Sequence, residues 1–142
     1  MVKFKIIKGF PYYRVIGNIA KEIVIGLLEE SGYFVYPYGF ESAFSDIKFR
    51  FHEKRLENTP SVKRLRSQPD ILVYDPDNNV VSFVEVKFRN PKYKNSIGLD
   101  LRQIQWYKEY WNDSLLILVV PYETFFYCQF VDTLSLERSN DI

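Results

Sequence analysis

Apolar residues along this chain fall into alternating helical and strand-like periods. From Asn18 to Ser31, Ile19, Ala20, Ile23, Val24, Leu27 and Leu28 recur at the spacing of one helix face. Asn18 suits an N-cap there and Gly32 a C-terminal stop. Tyr33 to Tyr38 reads as a short aromatic strand ending at Pro37-Tyr38-Gly39. Ser45 to Gln68 satisfies two periods at once: Phe44, Ile47 and Phe51 fit a helix, whereas Ile47, Phe49 and Phe51 fit a strand. Asn58-Thr59-Pro60 interrupts it, and Ser61 to Arg66 can start a second helical turn. Asp70 to Asp75 and Val80 to Phe88 read as strands, and the turn-forming run between them predicts a β-hairpin. Leu99 to Trp111 follows as a helix with Asp100 near its start. Ser114 to Val120 is a buried strand cut off by Pro121, and Phe125 to Val131 a last strand. The order predicts one α/β domain over residues 1–142, with a central mixed sheet flanked by helices.

In the last strand, Phe125, Tyr127 and Gln129 share one face and Phe126, Cys128 and Phe130 the other. Both faces are largely apolar, which suits a strand covered on both sides. A C-terminal strand tends to lie near a sheet edge, so this patch predicts a homodimer. The alternative is cover from residues 2–7 or from the 45–68 segment of the same chain.

Composition changes this picture little. The 142 residues are 46% hydrophobic and 26% charged, a globular balance. One cysteine, Cys128, excludes an internal disulfide and a cysteine metal cluster, and one histidine, His52, excludes a histidine-rich zinc site. The apolar run Leu115 to Pro121 is too short to span a bilayer. The opening MVKFKIIKGFPYY lacks the long apolar stretch and small-residue cleavage site of a signal peptide, so a soluble cytoplasmic chain without a membrane partner is expected.

Charge changes it more. The net charge is only +1, but residues 21–46 carry one basic residue against five acidic, and residues 48–66 seven basic against two acidic. The basic residues there include Arg50, Lys54, Arg55, Lys63, Arg64 and Arg66. Lys87, Arg89, Lys92 and Lys94 follow with no acid among them. Charge runs are often solvated faces, but two runs bracketing one acidic hairpin suit a polyanion held against carboxylates. These residues are therefore candidate nucleic-acid contacts.

The hairpin carries the chemistry. Strand residues two apart share a face, so Val81, Phe83, Glu85 and Lys87 form a face that turns ionic at its C-terminal end. Antiparallel pairing sets Asp70, at the start of one strand, beside the end of the other. Asp70, Glu85 and Lys87 should converge. Two convergent carboxylates suit a hard divalent cation such as Mg²⁺, with Mn²⁺ substituting, and a neighbouring lysine can serve the attacking water. The plain alternative is a surface ion pair.

Pro69-Asp70, fourteen residues, then Glu85-Val86-Lys87 resembles the signature of the PD-(D/E)xK nuclease superfamily, with its restriction-endonuclease-like fold. Gly17-Asn18-Ile19-Ala20 followed by Gly32-Tyr33 is similar to the first helix of archaeal Holliday junction resolvases. Gln103 and Tyr107, four apart, resemble the QxxxY element of RecB-like members, beside a plain alternative as the polar flank of an aromatic stripe. The resemblance implies Mg²⁺-dependent hydrolysis of phosphodiester bonds in DNA. It implies metal ligation by Asp70, Glu85 and the carbonyl of Val86, with Lys87 on the water and Gln103 assisting. The sequence departs from the resolvase pattern where a first-helix glutamate is expected: Lys21 stands there, and Glu22 lies one residue on. Glu22, and after it Glu41, is the remaining candidate for a further ligand. A catalytically silent relative that binds nucleic acid or a protein partner is the alternative function, and an unrelated α/β interaction domain a third.

Other constellations fall away. Nothing links His52 to Cys128 as a nucleophile pair, and Cys128 reads as a packed apolar residue. The six glycines are scattered and form no phosphate-cradling loop, so no nucleotide cofactor is expected.

Overall fold

A computed structural model describes residues 12–40, 47–56, 58–90, 98–122 and 124–135. Helix α1 (Tyr12–Glu30) leads into β1 (Phe34–Pro37). Two short helices follow, α2 (Ile47–Glu53) and α3 (Pro60–Arg66), then the hairpin β2 (Ile71–Asp75) and β3 (Val80–Phe88). Among the described residues, helix α4 (Leu101–Tyr110), β4 (Leu115–Val119), β5 (Phe126–Phe130) and one 3₁₀ turn (Val131–Thr133) then follow. The five strands form one mixed sheet in the order β1-β2-β3-β4-β5. Only β3 and β4 run parallel, and α4 is the crossover between them.

The sheet buries a different core on each face. Val84 and Val86 of β3, with Ile71, Val73 and Val119, pack under Ala20 and Val24 of α1. On the opposite face Leu116 of β4 packs with Ile104 and Tyr107 of α4 and with Val131. Side chains alternate along β3, so Glu85 and Lys87 project to the α4 side. Because β3 pairs with β2 on one edge and β4 on the other, its backbone is held from both sides.

Local sequence explains the boundaries. Gly32 ends α1 with φ +93°: its amide donates to the Glu29 carbonyl, and the Tyr33 amide to that of Leu28. This is a Schellman cap, and its left-handed residue favours glycine. Asp100 caps α4, its side chain accepting from the Gln103 amide at 3.2 Å. In the β2–β3 turn, Asp75 Oδ1 accepts from the amides of Asp77 and Asn78, and Asn79 adopts φ +53°.

Three expectations change. Helix α1 begins at Tyr12, so Asn18 is an exposed interior residue rather than a cap. The ambiguous 45–68 region is helical at Ile47–Glu53 and at Pro60–Arg66, and the strand reading of Ile47, Phe49 and Phe51 falls. Phe51 stacks on buried Phe40, with ring centroids 6.1 Å apart, a contact a helix supplies from one face. Finally, among the described residues β5 lies at the sheet edge, as expected, with Phe130 53% exposed, but Cys128 is exposed rather than packed. Among the described residues, no helix is long and apolar enough to cross a membrane.

Candidate active site

Asp70 sits just before β2, behind buried Pro69. Its backbone carbonyl accepts from the amides of Tyr38 and Gly39, at 3.0 and 3.1 Å, which fastens it to the end of β1. Its side-chain Oδ2 accepts from the Val86 amide at 2.9 Å, across the hairpin. Ile71 pairs with Val84, so one further step of the register sets Asp70 against Glu85.

Glu85 is buried, and its Oε1 accepts from the Tyr107 hydroxyl at 2.8 Å. The Lys87 ammonium lies 3.2 Å from the same oxygen and donates to Gln103 Oε1 at 2.9 Å. It also lies 5.6 Å from the centre of the Tyr107 ring, within cation–π range. One turn of α4 thus supplies both partners, Gln103 to the lysine and Tyr107 to the glutamate. Asp70, Glu85, Lys87 and Gln103 line one cleft of about 220 Å³ together with Lys21, Gly39, Phe40, Arg66, Gln68 and Tyr107.

Burial pushes the Glu85 carboxyl from its ordinary 4.5 up to about 7, and the charge of Asp70 adds to the rise. Lys87 and the Tyr107 hydrogen bond act against it. Burial, and then the Glu85 charge, raise the Tyr107 phenol well above its ordinary value, so it remains a hydrogen-bond donor.

This donor set fits a hard divalent cation. Two carboxylates from neighbouring strands converge, and a cation beside Glu85 would offset the cost of keeping its charge away from water. Among the described residues no group of three His, Cys, Asp or Glu side chains gathers, so the other ligand positions would fall to backbone, water and a substrate oxygen.

The remaining candidates separate. Glu22 is exposed and lines a hollow with Val15, Asn18, Ile19 and Ile23, not the cleft, so it does not join the carboxylates. Lys21 does, 3.6 Å from Asp70 Oδ1. Glu41, Lys92 and Lys94 lie outside the described residues. Of the six basic residues expected between 50 and 66, only Arg66 lines the cleft. Arg50, Lys54, Arg55 and Arg64 are exposed and Lys63 is half-buried. The Arg89 side chain donates from Nε to the Gly98 carbonyl and from a terminal nitrogen to that of Phe88, and it does not line the cleft.

Sequence reasoning missed Lys21, Gly39, Phe40 and Gln68 as cleft residues. The departure at Lys21 was itself a signal, and Gln68 adjoins Asp70. Gly39 and Phe40 carried no local sign. No protein-family model matches the chain, and no curated protein sequence matches it.

Proposed function

We propose that this chain is a Mg²⁺-dependent DNA endonuclease of the PD-(D/E)xK type, acting inside the cell. The observation that carries the reading is the convergence of Asp70, Glu85, Lys87 and Gln103 on one cleft, supplied by a β-hairpin and the helix after it. Asp70, Glu85 and the Val86 carbonyl would hold the cation, which when bound supplies a more acidic water and a Lewis acid for the phosphate. Tyr107 fixes the Glu85 carboxylate. Gln103 and Glu85 hold the Lys87 ammonium, which orients the attacking water and offsets charge growing on the phosphate oxygens. Arg66 at the cleft rim attracts the backbone.

The test is incubation with labelled linear, nicked, flap and four-way-junction DNA in Mg²⁺, Mn²⁺ or EDTA. Cleavage should require the metal and vanish in Asp70→Ala and Glu85→Ala, with DNA binding largely kept. Wild-type cleavage by Asp70→Ala, or cleavage in EDTA, would refute the site.

One observation favours a second reading, a silent nuclease fold that binds DNA. Lys21 stands where a resolvase glutamate is expected and faces Asp70. DNA binding with no cleavage of any substrate would select it. The homodimer also remains a proposal. Among the described residues no strand pairs with the outer edge of β5, and Phe125, Tyr127 and Phe130 are exposed, which suits a second copy. A monomer mass by light scattering, with and without DNA, would remove it.

A further inference from the structure

Helix α1 sends one charged side chain into the cleft, that of Lys21. Its ammonium stands 3.6 Å from Asp70 Oδ1, while Asp70 Oδ2 is held by the Val86 amide. The other carboxylate, Glu85, has its own lysine at 3.2 Å on the α4 side. Each acid of the pair is thus matched by a lysine from a different helix or strand, and the two lysines flank the carboxylates from opposite sheet faces.

A divalent ion shared by Asp70 and Glu85 is compatible with this arrangement. A second ion on the α1 side of Asp70 is not. It would meet an ammonium at close range, where cleft walls weaken solvent screening. It would also find no third carboxylate among the described residues, since Glu22 points elsewhere.

We propose that Lys21 is the built-in second cation of this site, occupying the α1 side of Asp70 and limiting the centre to one divalent ion. This rests on the metal-dependent reading above. It adds the ion count and names the residue that sets it. A fixed ammonium supplies charge at that point without being recruited from solution. It also competes for Asp70, so it holds affinity for the one divalent ion down.

Calorimetric titration of the full chain with Mn²⁺, without DNA, tests this independently of activity. Wild type should bind one ion, and Asp70→Ala none. Lys21→Gln, which removes the charge and leaves a polar side chain one atom shorter, should still bind one ion, several-fold tighter. Lys21→Glu, which adds a carboxylate at the same place, should bind two. Thermal melts establish that each variant is folded; if Lys21→Glu is not, the affinity of Lys21→Gln decides. Two ions on the wild type, or wild-type affinity in Lys21→Gln, would overturn the role of Lys21 and leave the nuclease reading standing. No Mn²⁺ binding by the wild type would overturn both.

Discussion

Glu85 shows how one residue couples the site to stability. Its folded value of about 7 lies above the ordinary 4.5, so the native chain keeps a proton that the unfolded chain has released. Stability therefore falls as pH climbs between those values, and the penalty is complete above them. At about 1.4 kcal/mol per unit it approaches about 3 kcal/mol. Glu85→Gln keeps a hydrogen-bonding partner for Tyr107 without the charge. Urea unfolding in EDTA should find this variant more stable than wild type at pH 8, with the difference closing toward pH 4. No pH dependence in that difference would show that the carboxyl is not held as described. Lys87→Ala should reduce the cleavage rate by orders of magnitude without weakening Mn²⁺ binding, because the ammonium competes with the ion for Glu85 and bonds Gln103 rather than holding the ion. Equal losses of both would reassign it. Asp70, Glu85 and Lys87 were legible from strand period and hairpin pairing alone, since both are local. Lys21 was not legible as a partner of Asp70, because only the packing of α1 on the sheet brings them together.

Among the elements, α1 departs most from its sequence pattern. The apolar stripe marked six residues, yet Ala20 and Val24 are buried while Ile19, Ile23 and Leu27 stay about half exposed. Period identifies a face but not how much of it the sheet covers. The helix start was missed because Gly17 and Asn18 are weak helix formers that suggest a boundary. The helix runs through them, and a Cβ at Gly17 would meet nothing within 4 Å. Gly17→Ala should therefore stabilise the fold by up to about 1 kcal/mol, raising the melting temperature. A fall would mean that the first turns of α1 are not helical in solution. Helix α4 was legible because Asp100 announces its cap, and that cap sets Gln103 at the third helical position, facing Lys87. The 45–68 region was not legible, since its phenylalanines satisfy both periods and only the stacking of Phe51 on Phe40 separates them.

For the molecule as a whole, the mixed α/β sheet was readable from element order, and its two cores follow from strand alternation. The charge map was only partly informative. A run of seven basic residues suggested one surface, but among its described side chains Arg66 alone reaches the cleft, while Arg64 lies over the Trp111 ring with 5.9 Å from its guanidinium carbon to the ring centre. If the others contact flanking phosphates, DNA affinity should fall linearly with salt in log–log terms, at a slope near 0.9 per phosphate on duplex DNA. Replacing Lys54, Lys63 and Arg66 with glutamine should flatten that slope by up to about 2.7. An unchanged slope in the triple variant would exclude this side of the molecule as the DNA surface.

The left-handed Asn79 in the β2–β3 turn has a consequence in time. Asp70 and Val86 are bonded across sixteen residues, a short loop to close, whereas Lys21 must return over a much longer stretch of chain. A hairpin that nucleates folding would bring the two acids together before their lysine from α1 arrives. Asn79→Ala, which disfavours the turn by about 1 kcal/mol, should then slow refolding about fivefold in stopped-flow and leave unfolding almost unchanged. A change confined to the unfolding arm would mean that the hairpin closes late, after the rest of the sheet has already assembled around it.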